Sequence, residues 1–410
     1  MGWEPEPPAY DHPIRLTSTD DLQRSRLTVF FRLILALPHL IWLVLWAAAA
    51  FFVAIANWFA TLFGRQSPDS LHEFLSRFVR YETHVTAYLS LTTNPWPPFL
   101  GKPNSYEIDV EFDPPAEQNR WKTGFRIILG IPAFLVSGAL TGGSGSGGGR
   151  SGYGGSAGVL WASAFLGWWA ALFTGRMPRQ LRDANLYGLR YGAQTGGYLL
   201  LLTERYPDAD PEVPPTPETL PPHPVGLSVT DELRRSRLTV FFRLLLAIPH
   251  FIWLTLWGIV AFFAAVIAWF ATLFSGRNPA ALHNFLARFV RYGTHVFAYT
   301  LLIGNPFPGF VGAEGSYPID VRIDPPELQN RWKTGFRIIL VIPAAILSGT
   351  IGSLIFVAGF LGWFTGLFVA RMPRDLRQAG AYGLRYHSQV NAYALLLTDR
   401  YPDATPRISE

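Results

Sequence analysis

The stretch "SRLTVFFRLILALPH", from Ser25 to His39, places one arginine, Arg32, inside an apolar run that ends at Pro38. The stretch is repeated almost letter for letter as "SRLTVFFRLLLAIPH", and two looser copies, "NRWKTGFRIILGIPA" and "NRWKTGFRIILVIPA", keep the arginine and the proline. The three copies lie at Ser236 to His250, Asn119 to Ala133 and Asn330 to Ala344. Self-similarity at fixed intervals is typical of repeat architectures, so the sequence predicts four structural repeats.

Constant offsets between equivalent residues set the predicted boundaries. An offset of 211 residues relates the two halves and aligns Arg32 with Arg243, whereas an offset of 94 relates neighbouring repeats and aligns Arg32 with Arg126. We predict repeats over residues 1–103, 104–206, 223–314 and 315–410, with a linker over residues 207–222. The linker is rich in proline, which favours a semi-extended conformation.

The composition indicates a membrane protein. Hydrophobic residues make up 49% of the chain and charged residues only 15%, whereas about a quarter of the residues in soluble domains are charged. Residues 33–63 hold no ionisable side chain except His39, and residues 338–370 hold none; both runs exceed the length of roughly 18 residues that marks a candidate membrane span. The acidic, proline-rich start differs from a cleavable signal peptide, so we expect a multi-pass protein of the plasma membrane with a cytoplasmic N-terminus.

Each repeat has the same predicted order of elements. A short alternating stretch such as "YPIDVRI" predicts a strand, the long apolar run follows, and a basic amphipathic helix such as "SLHEFLSRFVRYETHVTAYLSL" closes the repeat. The polar residues Arg80 and His84 lie on a different face of that helix from Leu71 and Leu75, so it is expected to lie in the headgroup plane.

The spacing within the apolar runs predicts a helical hairpin in every repeat. From Pro38 to Phe63 is 25 residues, but the equivalent distance in the second repeat is 41 because a Gly/Ser-rich segment is inserted about nine residues after Pro132. Such a segment cannot lie in lipid, so we expect a solvent-facing turn at the equivalent positions Ala47, Gly258 and Gly352. A single helix from Thr28 to Phe63 would also extend about 54 Å, against a hydrocarbon thickness of about 30 Å.

The predicted fold class is therefore a membrane α-helical protein with small cytoplasmic β-strands. Each of the four repeats is expected to form a kinked transmembrane helical hairpin with an interfacial amphipathic helix and a short strand, and the two halves are expected to be pseudo-symmetric. The alternative is a shallow re-entrant hairpin that does not cross the bilayer.

Arginines recur at fixed distances from the ends of the apolar runs, where a long side chain can reach lipid phosphate. Those expected at lipid headgroups are Arg26, Arg32, Arg65, Arg80, Arg126, Arg176, Arg237, Arg243, Arg277, Arg291, Arg337 and Arg371. The tryptophans of the predicted interfacial belt are Trp58, Trp168, Trp269 and Trp363. The prolines expected to kink the helices are Pro38, Pro132, Pro249 and Pro343. The same arginines could instead serve only as structural anchors.

No constellation of residues in the sequence points to catalysis. The chain has no cysteine, which excludes thiolate chemistry and cysteine-ligated metals. His72 and His84 are twelve residues apart on a predicted helix, about 18 Å in rise, which is too far for one metal ion. The strand carboxylates Asp109 and Asp320 are expected to be solvated. We expect neither an enzyme nor a cofactor or metal.

The motifs resemble a known family. "SRLTVFFRLLLAIPHFIW", "WFATLFSGRNP" and "LRYHSQVNAYALLLTDRYP" are similar to stretches of the bacterial membrane proteins grouped as domain-of-unknown-function family 4389. The even repeats depart from that pattern, since Ala133 and Ala344 replace the histidine of the odd repeats. The resemblance implies an integral membrane protein and supplies no activity.

Two functions follow as hypotheses. The first is a non-catalytic membrane scaffold that binds lipid or a partner, with the phospholipid bilayer, its anionic headgroups and a cytoplasmic protein as partners and no role for nucleic acid. The alternative is a transporter or channel for a small solute or ion, because parallel repeats are common in transport proteins. The near absence of ionisable residues within the predicted spans disfavours the alternative.

Overall fold

The computed structural model describes residues 12–142, 158–211 and 223–407. The chain divides into two compact units, which we call the first half (residues 1–144 and 163–208) and the second half (residues 145–162 and 209–410). The Gly/Ser-rich insertion, most of the linker and the N-terminal segment lie outside the described residues, so the expectations for them stay predictions.

The first two repeats contain two strands and seven helices among their described residues. These elements are β1 (Ile14–Ser18), α1 (Arg26–Leu35), α2 (Leu37–Gly64), α3 (Asp69–Leu89), β2 (Ile108–Phe112), α4 (Arg120–Gly124), α5 (Arg126–Thr141), α6 (Val159–Thr174) and α7 (Arg179–Leu199). The last two repeats follow the same order, with β3 (Val225–Val229), α8 (Arg237–Ser275), α9 (Ala280–Thr300), β4 (Ile319–Ile323), α10 (Arg331–Gly335), α11 (Arg337–Leu340), α12 (Ile342–Phe368) and α13 (Arg374–Ala394).

The strands of each half pair across its two repeats. Strand β1 pairs antiparallel with β2, with Leu16 opposite Val110, and β3 pairs with β4, with Leu227 opposite Val321. Strand β2 of the second repeat packs on helix α3 of the first, and β1 packs on α7 of the second. The predicted strands are confirmed, and this exchange makes the two repeats of a half one folding unit because neither can bury its strand alone.

The long apolar helices do not form the predicted hairpins. Helix α8 runs from Arg237 to Ser275 without interruption and includes Gly258, and Ala47 lies in the interior of α2. The expectation was wrong for these repeats and for the fourth, where Gly352 lies inside α12. A lone glycine costs a helix only about 1 kcal/mol relative to alanine, and alanine is the best helix former.

Packing against α9 stabilises α8 as a continuous helix at the position of the expected turn. The ring of Trp257, next to Gly258, lies 6.0 Å from the rings of both Phe285 and Phe289 on α9. A helix of this length exceeds the hydrocarbon thickness when it lies close to the membrane normal, and nothing in the chain requires that orientation. Only in the second repeat do two separate helices, α5 and α6, flank the position of the expected turn.

The two apolar runs of each half lie antiparallel. At the start of α8, Arg237 Nη2 donates to the carbonyl of Phe368 at the end of α12 (3.1 Å), and near the end of α8, Trp269 Nε1 donates to Thr334 O in α10 (2.8 Å). The first half repeats these contacts, from Arg26 to Phe173 O (3.0 Å) and from Trp58 to Thr123 O (3.0 Å). In the second half, α9 and α13 pack between this apolar layer and the sheet.

The four prolines at equivalent positions of the repeats lie in two kinds of helical setting. Pro38 and Pro343 lie in the first turn of α2 and α12, just after a break from α1 and α11. Pro132 and Pro249 lie inside α5 and α8, which continue through them. A proline near a helix start needs no hydrogen-bond partner for its missing N–H group, which accounts for the first setting.

Candidate membrane interface

In each half, the outward side of the long helices is an apolar surface. Among the described residues, three helical runs are long and apolar enough to cross a membrane: Arg26–Gly64, Arg237–Ser275 and Arg337–Phe368. Large apolar side chains are exposed along the whole of α8, from Leu238 (69% exposed) through Phe262 (64%) to Phe274 (73%). Contiguous exposed apolar areas larger than a few hundred Å² mark a membrane or protein interface. We call this surface the apolar face.

Exposed arginines lie at both ends of the apolar face. In the second half, Arg237 and Arg371 flank one end of the helix pair: Arg237 donates to Phe368 O, and the backbone of Arg371 pairs with that of Arg234. At the other end, Arg277 follows α8, and the Arg331 side chain lies beside Gly276. We call these pairs the arginine corners.

The first half has the same corners. Arg26 and Arg176 lie at one end, where Arg26 donates to Phe173 O and the backbone of Arg176 pairs with that of Gln23. Arg65 lies at the other end with Arg120, whose Nη2 donates to Phe63 O (3.0 Å). Six of the twelve predicted arginines are therefore exposed at the ends of the helices: Arg26, Arg65, Arg176, Arg237, Arg277 and Arg371.

The other six predicted arginines are buried: Arg32, Arg80, Arg126, Arg243, Arg291 and Arg337. Arg32 was expected to extend toward lipid phosphate, but it is 2% exposed and its Nη1 donates to Tyr88 O (2.6 Å) and Thr93 O (2.9 Å). These carbonyls lie at the C-terminal end of α3. A helix C-terminus carries partial negative charge and unpaired carbonyls, and the guanidinium group binds these carbonyls inside the protein.

The same arrangement occurs in all four repeats, and we call it the arginine clamp. Each clamp holds the C-terminal end of the amphipathic helix of its own repeat, and each guanidinium group lies 4.1–4.3 Å from a tyrosine ring centroid. The pairs are Arg32 with Tyr88, Arg126 with Tyr198, Arg243 with Tyr299 and Arg337 with Tyr393. A leucine with a left-handed backbone follows the end of each of these helices: Leu91, Leu201, Leu302 and Leu396. The clamp therefore fixes the amphipathic helix against the apolar layer.

The predicted tryptophan belt is half-buried. The indole N–H groups of Trp58, Trp168 and Trp269 donate to backbone carbonyls of the opposite apolar run, at 2.8–3.1 Å. Trp363 is also half-buried. These three indoles join the two apolar helices of a half, and a role at lipid headgroups stays a prediction.

A buried charged cluster lies between α3 and β2. Asp109 Oδ1 is 3.0 Å from Arg80 Nε and 3.4 Å from His84 Nε2. Burial alone raises the pKa of Asp109, but the hydrogen bonds of His84 and of the Asn104 and Val110 amides, with the charge of Arg80, lower it below its ordinary value. The expectation that Asp109 and Asp320 are solvated is wrong, because both are paired inside the protein.

The third repeat holds an equivalent cluster. His295 Nε2 lies 2.7 Å from Asp320 Oδ1, and Arg291 Nε lies 3.5 Å from the same oxygen. The even repeats have glutamine at the position of His84 and His295. Gln194 donates to the strand carbonyl of Ile14 (3.2 Å), and Gln389 donates to that of Val225 (2.9 Å). Both residue types at this position tie an amphipathic helix to a strand, which indicates a structural role.

No group of three or more histidine or acidic side chains placed to hold a metal ion occurs within residues 12–142, 158–211 and 223–407. His72 lies apart from the Asp109 cluster, with its Nε2 3.4 Å from Leu202 O.

Two exposed arginines of the corners were missed from the sequence. Arg120 and Arg331 occupy the positions of Arg26 and Arg237 in the even repeats, and the offset of 94 residues identifies both. Their motif "NRWKTGF" looks less like "SRLTVFF" than the rest of the repeat does, which hid the equivalence. Trp121 and Trp332, which follow them, are nearly 80% exposed.

The fold and the apolar face define a tandem-repeat, mostly helical protein with small strands and an exposed apolar layer. Residues 26–101, 156–209, 237–311 and 331–404 each match the family described as "Domain of unknown function (DUF4389)". The matches cover more than half of the chain, so it belongs to this family, as the resemblance of its motifs implied. No curated protein and no solved structure matches the chain.

Proposed function

We propose that the protein is a non-catalytic membrane scaffold whose apolar face lies along one leaflet of the bilayer and whose arginine corners bind anionic headgroups. The observation that carries the proposal is the apolar face itself, which extends over the whole length of α8. Leaving such a surface in water is unfavourable by roughly 25 cal/mol for each Å². A bilayer is the partner that covers an apolar surface of this length.

The length of α8 favours an orientation along the membrane. Its 39 residues extend about 58 Å at 1.5 Å per residue. To keep that length within about 30 Å of hydrocarbon, the helix would have to tilt about 60° from the membrane normal, whereas spanning helices tilt by up to about 40°. An orientation close to the membrane plane avoids the mismatch.

The charges support the same orientation. A spanning helix is expected to carry more arginine and lysine at its cytoplasmic end, but α8 has two exposed arginines near each end, Arg237 and Arg371 at one and Arg277 and Arg331 at the other. Helices that lie along one leaflet place both ends at the same headgroup layer. The corners can then bind anionic lipid together.

An ion pair beside the middle of α2 points the same way. Glu73 and Arg77 on α3 are 2.6 Å apart and partly exposed, and they border a groove with Trp46 and Ala49 of α2. In a spanning arrangement this pair would lie near the centre of the bilayer, where each charge costs about 3 kcal/mol. In the proposed orientation the pair lies on the cytoplasmic side with the sheet.

A transporter receives less support. The polar side chain of Asn57 in α2 is engaged inside the protein: its Nδ2 donates to Leu200 O (3.0 Å), and its Oδ1 accepts from Ser67 Oγ (2.7 Å). It thus acts as an internal link between helices. Polar groups of a transport path are expected to face a water-filled cavity instead.

The lipid that accompanies the protein tests the proposal. The protein is extracted from bacterial membranes in polymer-bounded native discs, and its lipids are compared with those of the whole membrane. We expect enrichment of anionic lipid, and we expect Gln substitution of Arg26, Arg176, Arg237 and Arg371, which removes the corner at one end of each helix pair, to reduce it. The matched control replaces Arg15 and Arg322, two partly exposed arginines of the sheets, and should keep the enrichment. Equal enrichment in both variants, or none in the wild type, would contradict the proposal.

A further inference from the structure

A cavity of about 630 Å³ lies inside the second half, between helices α8, α9, α12 and α13. Its volume falls in the range of about 300–1,000 Å³ that is usual for ligand sites. Its walls are mostly aliphatic and aromatic and include Leu244, Phe356, Phe360 and Trp363. Leu302, which follows α9, and Leu384, on α13, are buried in its floor.

The cavity opens on the apolar face. Leu244, Phe356 and Phe360 line it and are 66%, 64% and 46% exposed, so the same side chains belong to the cavity and to the surface proposed to meet lipid. A ligand that enters there comes from the medium that covers the apolar face. In the proposed orientation that medium is the acyl-chain region of one leaflet.

The polar side chains in the wall make hydrogen bonds within the protein. Arg243 directs its Nη1 to Tyr299 O (3.0 Å) and Gly304 O (3.2 Å) and its Nη2 to Asn305 O (2.9 Å). His387 Nδ1 lies 2.9 Å from Ser348 Oγ. Since these hydrogen bonds are made within the protein, the wall favours a hydrocarbon chain over a polar solute.

Glycine provides the space. A Cβ atom added to Gly352, which lines the cavity, would meet no heavy atom within 4 Å. Gly349, one turn earlier on α12, is equally open but is not part of the cavity wall. The two positions therefore form a matched pair, since an added Cβ atom meets open space at both and only position 352 lines the cavity.

We infer that the cavity holds one acyl chain of a bilayer phospholipid, which anchors the second half in its leaflet. This inference rests on the proposed function, because it takes the ligand from the lipid that covers the apolar face. A chain that enters between Phe356 and Leu244 contacts the walls and the floor of the cavity, whereas lipid elsewhere on the face contacts the protein on one side only. One lipid should therefore stay with the protein when detergent removes the rest.

Retention of lipid through detergent exchange tests the inference. Full-length protein is washed extensively in detergent, and the remaining lipid is identified by mass spectrometry and quantified per chain. We expect about one phospholipid in the wild type and in Gly349→Leu, and an at least fivefold loss in Gly352→Leu. Leu244→Trp, which narrows the mouth from an exposed position, should also lose the lipid and guards against misfolding of the first variant. Delipidated wild type should rebind dioleoylphosphatidylglycerol through gel filtration, and Gly352→Leu should not.

Other outcomes decide against the inference. Equal retention in Gly349→Leu and Gly352→Leu, an isoprenoid or a free fatty acid in place of a phospholipid, or an empty wild-type protein would each overturn it. A protein that leaves membranes in alkaline carbonate without detergent would instead overturn the proposed function. A protein that resists carbonate but retains no lipid loses only the acyl-chain site.

Discussion

Replacement of the clamp arginine Arg243 by alanine should destabilise the second half strongly. The side chain is 1% exposed, and its guanidinium group donates to the carbonyls of Tyr299, Gly304 and Asn305 at 2.9–3.2 Å. Leaving the buried carbonyls of Tyr299 and Gly304 and the half-buried carbonyl of Asn305 without this donor costs about 2.5–4 kcal/mol together, and the lost contact with the Tyr299 ring adds about 0.5–1 kcal/mol. The free energy of unfolding should fall by about 3–5 kcal/mol in total.

Thermal unfolding in detergent, followed by tryptophan fluorescence, measures this loss. For a unit of this size about 1 kcal/mol corresponds to about 2–4 °C in Tm, so Arg243→Ala should lower Tm by about 6–20 °C. Arg243→Lys keeps the positive charge but lacks the forked guanidinium group, so its Tm should lie between those of the wild type and Arg243→Ala. The matched control is Arg237→Ala, which removes an exposed side chain with one hydrogen bond to Phe368 O and should cost about 1 kcal/mol or less. Equal Tm values for Arg243→Ala and Arg237→Ala would refute the clamp.

Two further predictions concern acid stability and a tight turn. Burial lowers the pKa of His12 and His223 to about 4, and their unprotonated Nδ1 atoms accept hydrogen bonds from the backbone amides two residues later. In the unfolded chain the same side chains bind protons near pH 6.5. Their contribution to the free energy of unfolding should therefore be complete above pH 6.5 and should fall toward pH 4. A double variant, His12→Asn with His223→Asn, keeps an acceptor for those amides and should shift the acid-unfolding midpoint to lower pH. Gly312 has a left-handed backbone (φ +55°), and an added Cβ atom would overlap the carbonyl oxygen of Arg288. Gly315 is also left-handed (φ +70°), but the space around it is open, so Gly315→Ala should cost only about 1–2 kcal/mol. Gly312→Ala should therefore lower Tm far more than Gly315→Ala. Similar Tm values for the two glycine variants would count against the packing of that turn.

The order of elements could be predicted from the sequence because it depends on local pattern. Alternation in "YPIDVRI" gives strand β4, and the amphipathic pattern gives α3 and α9, as observed. The four repeats follow from the spacing of an arginine and a proline alone. What these signals share is that each depends on residues within one helix or one strand.

The continuity of the apolar helices could not be predicted in the same way. An apolar helix without a polar stripe has no periodic signal that marks a turn, and the insertion that suggests a turn occurs in the sequence of one repeat only. A helix break at the position of the expected turn occurs in the second repeat, between α5 and α6. Gly258 and Ala47 are compatible with a turn or a helix, and packing on α9 and α3 selects the helix.

The burial of the clamp arginines depends on tertiary structure. An arginine in an apolar run fits both a side chain that reaches lipid phosphate and one that binds protein carbonyls. The carbonyls that bind Arg32 belong to Tyr88 and Thr93, at the end of another helix. One observation in the sequence distinguished the two classes of arginine: the corner positions adjoin the helix ends, whereas the clamp positions lie within the apolar run before the proline.

The most direct test of the central claim is the side of the membrane on which the two ends of α8 lie. Ser236 and Ser275 are exposed residues at its N-terminal and C-terminal ends, and a chain without cysteine allows each to be replaced singly by cysteine. A membrane-impermeant maleimide is added to intact cells and to inverted membrane vesicles. If α8 lies along the cytoplasmic leaflet, Ser236→Cys and Ser275→Cys both react only in inverted vesicles. Reaction of one end from outside the cell and of the other from inside would show that the helix crosses the bilayer, and would contradict the account.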